Sequence, residues 1–269
     1  MVNPTSVPAS SDAAAAGALA GFVAARRRRP QWHLPAADER PRTEAEGYRL
    51  QHAIHGALAA AGIERVGYKI GSTSVEGQRA FGLSEPIYAG IYDLTRAASL
   101  REALARPLTA PSLECEIAVV MGAGLDGGSD LSDDALSAAV QSAHLACEVI
   151  DNRYGAPLEV GIPTILTDDF FHAAFVLGPA QDGWRDLLKR DLRGATEIDG
   201  SVVPGSTADV LRPLQSLRWL VQKLAAHGHR LAAGDIVLTG SLVKPTPVRL
   251  PARSVSIRVE GFGALTLAD

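Results

Sequence analysis

PSLECEIAVVM, residues 111–121, sets two carboxylates inside an otherwise apolar run. Strand side chains alternate between faces, so Glu114 and Glu116 share one face while Leu113, Cys115, Ile117 and Val119 take the other. Two like charges side by side in a half-buried sheet repel each other and lose hydration, so they need a neutraliser. A hard divalent cation, Mg2+ or Mn2+, accepts oxygen ligands and keeps coordination positions for water or substrate. The other reading gives one carboxylate to an Arg or Lys and leaves the second protonated or at a sheet edge. The tripeptide alone is compatible with both.

Outward from this strand, RVGYKIGS (65–72), PIYAGIYD (86–93), CEVID (147–151), AAFVLG (173–178), GATEIDGSVV (194–203), GDIVLTG (234–240) and SVSIRVEGFGALTLA (254–268) read as further strands, the last turning at Glu-Gly-Phe-Gly. Helices are expected at 12–29 and 43–62, at 75–81 between a Ser74 cap and Gly82, at 131–146 behind a Ser132 cap, and at 213–228 opened by Pro213 and closed by Gly228. Many strands with few interspersed helices predict an α+β fold, a curled β-rich body with helices outside it. The chain divides into an arm at 1–11, an N-terminal helical section at 12–62 and the β-rich body at 63–269.

A chain of 269 residues can bury a large core, and 46% hydrophobic with 21% charged residues describes a globular protein. The net charge of −4 and pI near 6.0 exclude a nucleic-acid partner, which needs a concentrated basic face. Arg26 to Arg29 end the first helix, where cations suit the dipole. The apolar stretch before them has Asp12 in front and its arginines behind, the reverse of a secretory signal, and it is too short to span a bilayer. No membrane association is expected, and the expected location is the cytoplasm. Cys115 and Cys147 lack zinc or disulfide spacing and are read as reduced core residues.

Gly122-Ala-Gly124-Leu-Asp-Gly127 matches a dinucleotide-binding pattern, but its loop runs on through Gly128, Ser129 and Asp130. Asp126, Asp130, Asp133 and Asp134 would crowd a pyrophosphate, so nucleotide binding is rejected. Glu148, between Cys147 and Val149, is a third carboxylate in an apolar segment, either a partner for Arg153 or a third metal ligand. Lys69 interrupts an apolar strand, either as an edge residue in solvent or as a partner for an anionic substrate. Asp168 and Asp169, followed by Phe170, Phe171 and His172, form a second polar and aromatic cluster, read either as a turn with a packed histidine or as site residues.

Taken in order, GYKIGSTS (67–74), SLECEIAVVMG (112–122), ACEVIDNRY (146–154), AAFVLG, LAAGDIVLTGSL (231–242) and VEGFGAL (259–265) resemble the 2-oxopent-4-enoate hydratase and 4-oxalocrotonate decarboxylase family of the fumarylacetoacetate hydrolase superfamily. The resemblance covers about residues 45–269. It implies a β-roll with flanking helices, a homo-oligomer, and Mg2+ or Mn2+ held by Glu114, Glu116 and Glu148. It also implies an active-site Lys69 and substrate-binding positions at Ser72, Phe171 and Ser241, with a small 2-oxo acid as substrate. Hydration of a 2-hydroxydienoate is the expected reaction, with decarboxylation of a 2-oxo diacid as the alternative and a noncatalytic metabolite-binding homologue as a further one. The family's D-N-A-S segment is Asp168-Asp169-Phe170-Phe171 in this chain, and the acidic residue after the equivalent of Pro86 is Ile87. His172 or Asp169 is therefore the candidate for the proton transfer that the missing hydroxyl and carboxylate would have served, with Asp168 a further catalytic candidate.

Overall fold

The computed structural model describes residues 40–268, so the arm at 1–11 and the helix at 12–29 lie outside the described residues. The next helix, Glu44–Ala60, begins at a capping box in which Glu46 N donates to Thr43 Oγ1 and Thr43 N to Glu46 Oε2. Tyr48, Gln51, Ile54 and Leu58 form its buried face. Gln51 Nε2 donates 2.7 Å to Leu166 O, tying the helix to the Ile162–Thr167 helix of the body.

β1 (Arg65–Gly71), β2 (Ile87–Tyr92), β3 (Arg96–Ala97), β4 (Pro111–Met121), β5 (Val140–Asp151), β6 (His172–Ala180), β9 (Ile236–Ser241) and β10 (Thr246–Pro247) make a mixed eight-stranded sheet. Its order is β2-β1-β9-β4-β5-β6-β3, with β10 paired to β4. β1 runs parallel to β9 and β3 parallel to β6, while the other pairs are antiparallel. A second sheet, β12-β11-β7-β8, is built from β7 (Arg193–Ile198), β8 (Ser201–Ser206), β11 (Val255–Val259) and β12 (Gly263–Thr266), and packs against β4 and β5. The α+β architecture expected from the sequence is observed. Gly67 is required where β1 meets β9, because a Cβ there would overlap the Ile236 carbonyl.

One expected element is corrected. The helix expected over 131–146 stops at Ala139, and β5 begins at Val140. Apolar residues at Val140, Ala143 and Ala146 mimic helical spacing, yet β5 pairs with β4 along its length, from Val140 opposite Met121 to Asp151 opposite Pro111. The cooperative ladder outweighs the local preference. Glu148 thus sits in the middle of a long strand, not just after a helix. Cys115 and Cys147 face each other across this pair as buried free thiols. Among the described residues no helix is long and apolar enough to cross a membrane.

The Glu44–Ala60 helix meets the end of the Pro213–Ala226 helix through histidines. Tyr88 Oη lies 2.7 Å from His52 Nε2 and 2.6 Å from His227 Nδ1, and the His229 ring packs edge-on against His52 at 4.2 Å. Burial, reinforced by the imidazoles of His229, His55 and His227, pushes His52 down from 6.5 to about 3. The unfolded chain therefore binds the proton more readily. Stability contributed by this site is complete above about pH 6.5 and is lost as the pH falls toward 3. The melting temperature is expected to drop between pH 7 and pH 5, and less steeply in His52→Gln; parallel thermal melts check this, and identical slopes would remove His52 as a cause.

Candidate active site

The β4–β5 register sets Glu114 directly opposite Glu148, and Glu116 lies two residues along the same face. Carboxylate oxygens of all three lie within 4.8 Å of one another. β9, on the other side of β4, is irregular next to Glu116, and there Gly240 N donates 2.8 Å to Glu116 Oε2. Gly240 holds φ +101°, and a Cβ would run into Thr73, so only glycine presents that amide. On β1, Lys69 is fully buried, which excludes the solvent-facing reading. Its Nζ donates 2.9 Å to Phe170 O and lies 3.3 Å from Glu148 Oε1.

Burial works against the Lys69 charge, but Glu148, Glu114 and Glu116 outweigh it and hold the ammonium above its ordinary range. Burial likewise opposes the Glu148 charge, yet Lys69 and His172 keep that carboxyl below the usual range. Burial, then the Glu148 charge, push Glu114 up to about 8, and burial with both neighbours raises Glu116 well above normal. One lysine therefore offsets one carboxylate, and the other two require a proton or a cation. Glu116 Oε1 and Glu148 Oε2 are buried and accept no hydrogen bond. An all-oxygen set with buried, unused acceptors fits a hard divalent cation.

A cavity of about 260 Å3 opens over Lys69 and Glu114. Ser72, Ser112, Asn152 and Ser241 give it a polar side, and Phe81, Phe170 and Phe171 an aromatic one. The structure thus brings together Lys69, Glu114, Ser72, Phe171 and Ser241 at the cavity, with Glu116 and Glu148 buried in the carboxylate cluster beneath it. Ser112, Asn152 and Phe81 escaped the sequence reading. Asn152 lay within a segment already singled out, while Phe81 sits at the end of a short helix with nothing local to mark it.

Asp168, Asp169 and His172 are not among the described residues lining the cavity. Asp168 accepts from Tyr154 Oη at 2.8 Å and from Arg153 Nη2 at 3.1 Å, so Arg153 is bound here and not to Glu148. Asp169 Oδ1 lies 2.7 Å from His55 Nε2 and accepts from Gly90 N at 3.0 Å, and its Oδ2 accepts from Tyr92 Oη at 3.1 Å. His172 lies behind Glu148, with Nδ1 2.9 Å from Oε1 and Nε2 2.8 Å from Thr95 Oγ1. The Thr95 hydroxyl spends its proton on Tyr92 O, so His172 Nε2 carries a hydrogen and the Glu148 contact needs a second proton.

These aspartates frame an unusual turn. Asp169, Phe170 and Phe171 hold φ of +51°, +48° and +68° in succession. Left-handed backbone costs a non-glycine residue about 1 kcal/mol or more, so the turn persists because its surroundings hold it. It aims the Phe170 carbonyl at Lys69 and sets both phenylalanine rings on the cavity wall.

Residues 90–267 match the family described as fumarylacetoacetate (FAA) hydrolase C-terminal. A 4-oxalocrotonate decarboxylase of Pseudomonas putida is 30% identical over 237 residues, spanning 87% of this chain and 88% of its own. A 2-keto-4-pentenoate hydratase of Paraburkholderia phymatum is 29% identical over 220 residues, spanning 81% and 83%. Among solved structures, the 4-oxalocrotonate decarboxylase of Pseudomonas putida G7, complexed with magnesium and adipate, superposes with a TM-score of 0.81 at 26% identity over 98% of both chains.

Glu116→Gln is expected to weaken Mn2+ or Mg2+ binding by at least about tenfold in titration calorimetry while leaving the fold intact; unchanged affinity would remove Glu116 from the metal set. Asp169→Ala is expected to cost about 2–4 kcal/mol in denaturant unfolding, since it strands His55, Gly90 N and Tyr92 Oη. Asp169→Asn, which keeps an acceptor for the first two, should cost markedly less.

Proposed function

Since the chain belongs to the fumarylacetoacetate hydrolase family, we propose that it is a metal-dependent lyase acting on a small 2-oxo or 2-hydroxydienoic acid, with hydration as its reaction. The observation that carries this reading is the cluster of three carboxylates, only one of them offset by Lys69, at the floor of a small cavity. Glu114, Glu116 and Glu148 would hold Mg2+ or Mn2+. When bound there, the ion supplies electrostatic stabilisation of negative charge that develops at C2 of the acid.

The protein's own groups do the rest. Lys69 stays cationic because three carboxylates surround it, so its part is a fixed charge with one donor left for a substrate oxygen. Ser72, Ser112, Asn152 and Ser241 offer hydroxyls and an amide that can hold a water beside the substrate chain. Phe170 and Phe171 keep bulk water from the opposite side. His172 acts through Glu148, whose orientation it fixes together with Thr95, and Asp168 and Asp169 act by holding the left-handed turn. The catalytic unit is taken as residues 63–269, in a cytoplasmic homo-oligomer.

Decarboxylation of a 2-oxo diacid is the second reading, favoured by the likeness to the Pseudomonas putida G7 decarboxylase along nearly the whole chain. It would use the same carboxylates and Lys69. The test is loss of the dienol ultraviolet absorbance when purified protein meets 2-hydroxypenta-2,4-dienoate with Mg2+, beside an EDTA control, with the product weighed by mass spectrometry. Metal-dependent gain of one water is expected. No turnover of the monoacid, together with CO2 release from 4-oxalocrotonate, would replace hydration by decarboxylation.

A further inference from the structure

The aromatic side of the cavity has a construction of its own. Its rings form a connected set that starts at Lys69, whose Nζ lies 5.2 Å from the centre of the Phe170 ring. Phe81 meets Phe170 edge-to-face at 5.3 Å, and Phe171 packs on Phe170 at 5.2 Å. Tyr154 backs Phe171 at 5.9 Å, again edge-to-face. Phe170 and Phe171 are about 95% buried, whereas Phe81 is only partly buried, so the rings run from the lysine outward to the rim. A substrate whose acid head meets Lys69 and the carboxylate end of the cavity can lay its tail along these rings, opposite the polar side.

The charges sort the tails that fit. Among the described residues lining the cavity, Lys69 and Glu114 are the ionisable ones, and Lys69 is already paired with Glu148. A terminal carboxylate on the tail would shed water against aromatic carbon and gain no cation from this wall. A vinyl, alkyl or aryl terminus loses nothing and buries apolar surface. The cavity of about 260 Å3 falls just below the usual range of ligand pockets, which suits a short tail. The turn supplies a second, independent sign. Three successive left-handed residues are held so that two phenylalanines face the cavity, and strain of that kind collects where function fixes geometry.

We propose that Phe81, Phe170 and Phe171 form a tail subsite that selects 2-oxo acids ending in a neutral, apolar group over 2-oxo diacids. This rests on the reading of the carboxylate cluster and Lys69 as a metal-assisted 2-oxo-acid site. The subsite turns on the two phenylalanines of the turn, Phe170 and Phe171, together with Phe81.

Titration calorimetry on the full, Mg2+-loaded chain tests it with three unreactive ligands, namely pyruvate, 2-oxohexanoate and 2-oxoadipate. Pyruvate has the head alone, and the other two share a chain length and differ in the terminal carboxylate. The expected result is that 2-oxohexanoate binds at least tenfold more tightly than both pyruvate and 2-oxoadipate, and that Phe171→Ser narrows the gap to 2-oxoadipate. Pyruvate binding with no gain for 2-oxohexanoate, or a diacid bound as tightly as the monoacid, would overturn the subsite while leaving the head-group reading in place. Magnesium binding without measurable affinity for any of the three acids would overturn the head-group reading, and the subsite with it. If Phe171→Ser fails to fold, the wild-type comparison still decides, and Phe81→Ser on the rim replaces it as the variant.

Discussion

Three carboxylates, Glu116 and Glu148 buried and Glu114 at the cavity, cluster where an antiparallel ladder forces two of them face to face, and much of the surrounding structure answers that repulsion. Glu114 and Glu148 are cross-strand partners, so neither can turn away without leaving the sheet. Lys69 from β1 and the amide of Gly240 from β9 approach from one flank, and His172 from the start of β6 approaches from the other. Each contribution comes from a different strand, so the cluster exists only when the sheet is assembled. The protein supplies less positive charge than the cluster contains negative, and this deficit suits the set to a divalent cation better than to a closed ion-pair network.

The same site is wired to the outer helix by hydrogen bonds. His55 on the Glu44–Ala60 helix reaches Asp169, which also takes the Gly90 amide and the Tyr92 hydroxyl. Asp169 opens the left-handed turn, and the carbonyl of the next residue, Phe170, accepts from Lys69. Three residues, His55, Asp169 and Phe170, thus link a helix on the outside of the body to the buried ammonium. A polar network of this kind is strong when every member is satisfied and costly when one is removed, so the helix belongs to the machinery that shapes the cavity.

Much of this was legible in the chain. The E-x-E spacing placed two carboxylates on one face because strand periodicity is a local property, and an unpartnered charge in an apolar run stood out against it. Caps at Ser74, Gly82 and Pro213 were equally local and were found where expected. Long-range pairing hid the rest. The first half of β5 has helix-compatible spacing, and only its ladder with β4 makes it a strand. Nothing in the order Asp-Asp-Phe-Phe announces left-handed backbone, since phenylalanine carries no intrinsic preference for it. His172 and the two aspartates were expected as catalytic residues, and the fold around that turn places them off the cavity lining.

The division of labour within the cavity follows from where each feature is rooted. The head of a 2-oxo acid would meet groups on β1 and β4, the central strands, where a one-residue slip would turn every side chain to the wrong face. The tail would meet residues on a turn and at the end of a short helix, which can change without disturbing the ladder. The head would therefore be fixed by the sheet, and the tail would be read by the turn and the short helix. The chains to which this one is similar along most of their length include both a hydratase and a decarboxylase. In either reaction the carboxylates and the lysine would meet the acid head, and the far end of the substrate would meet the turn and the short helix.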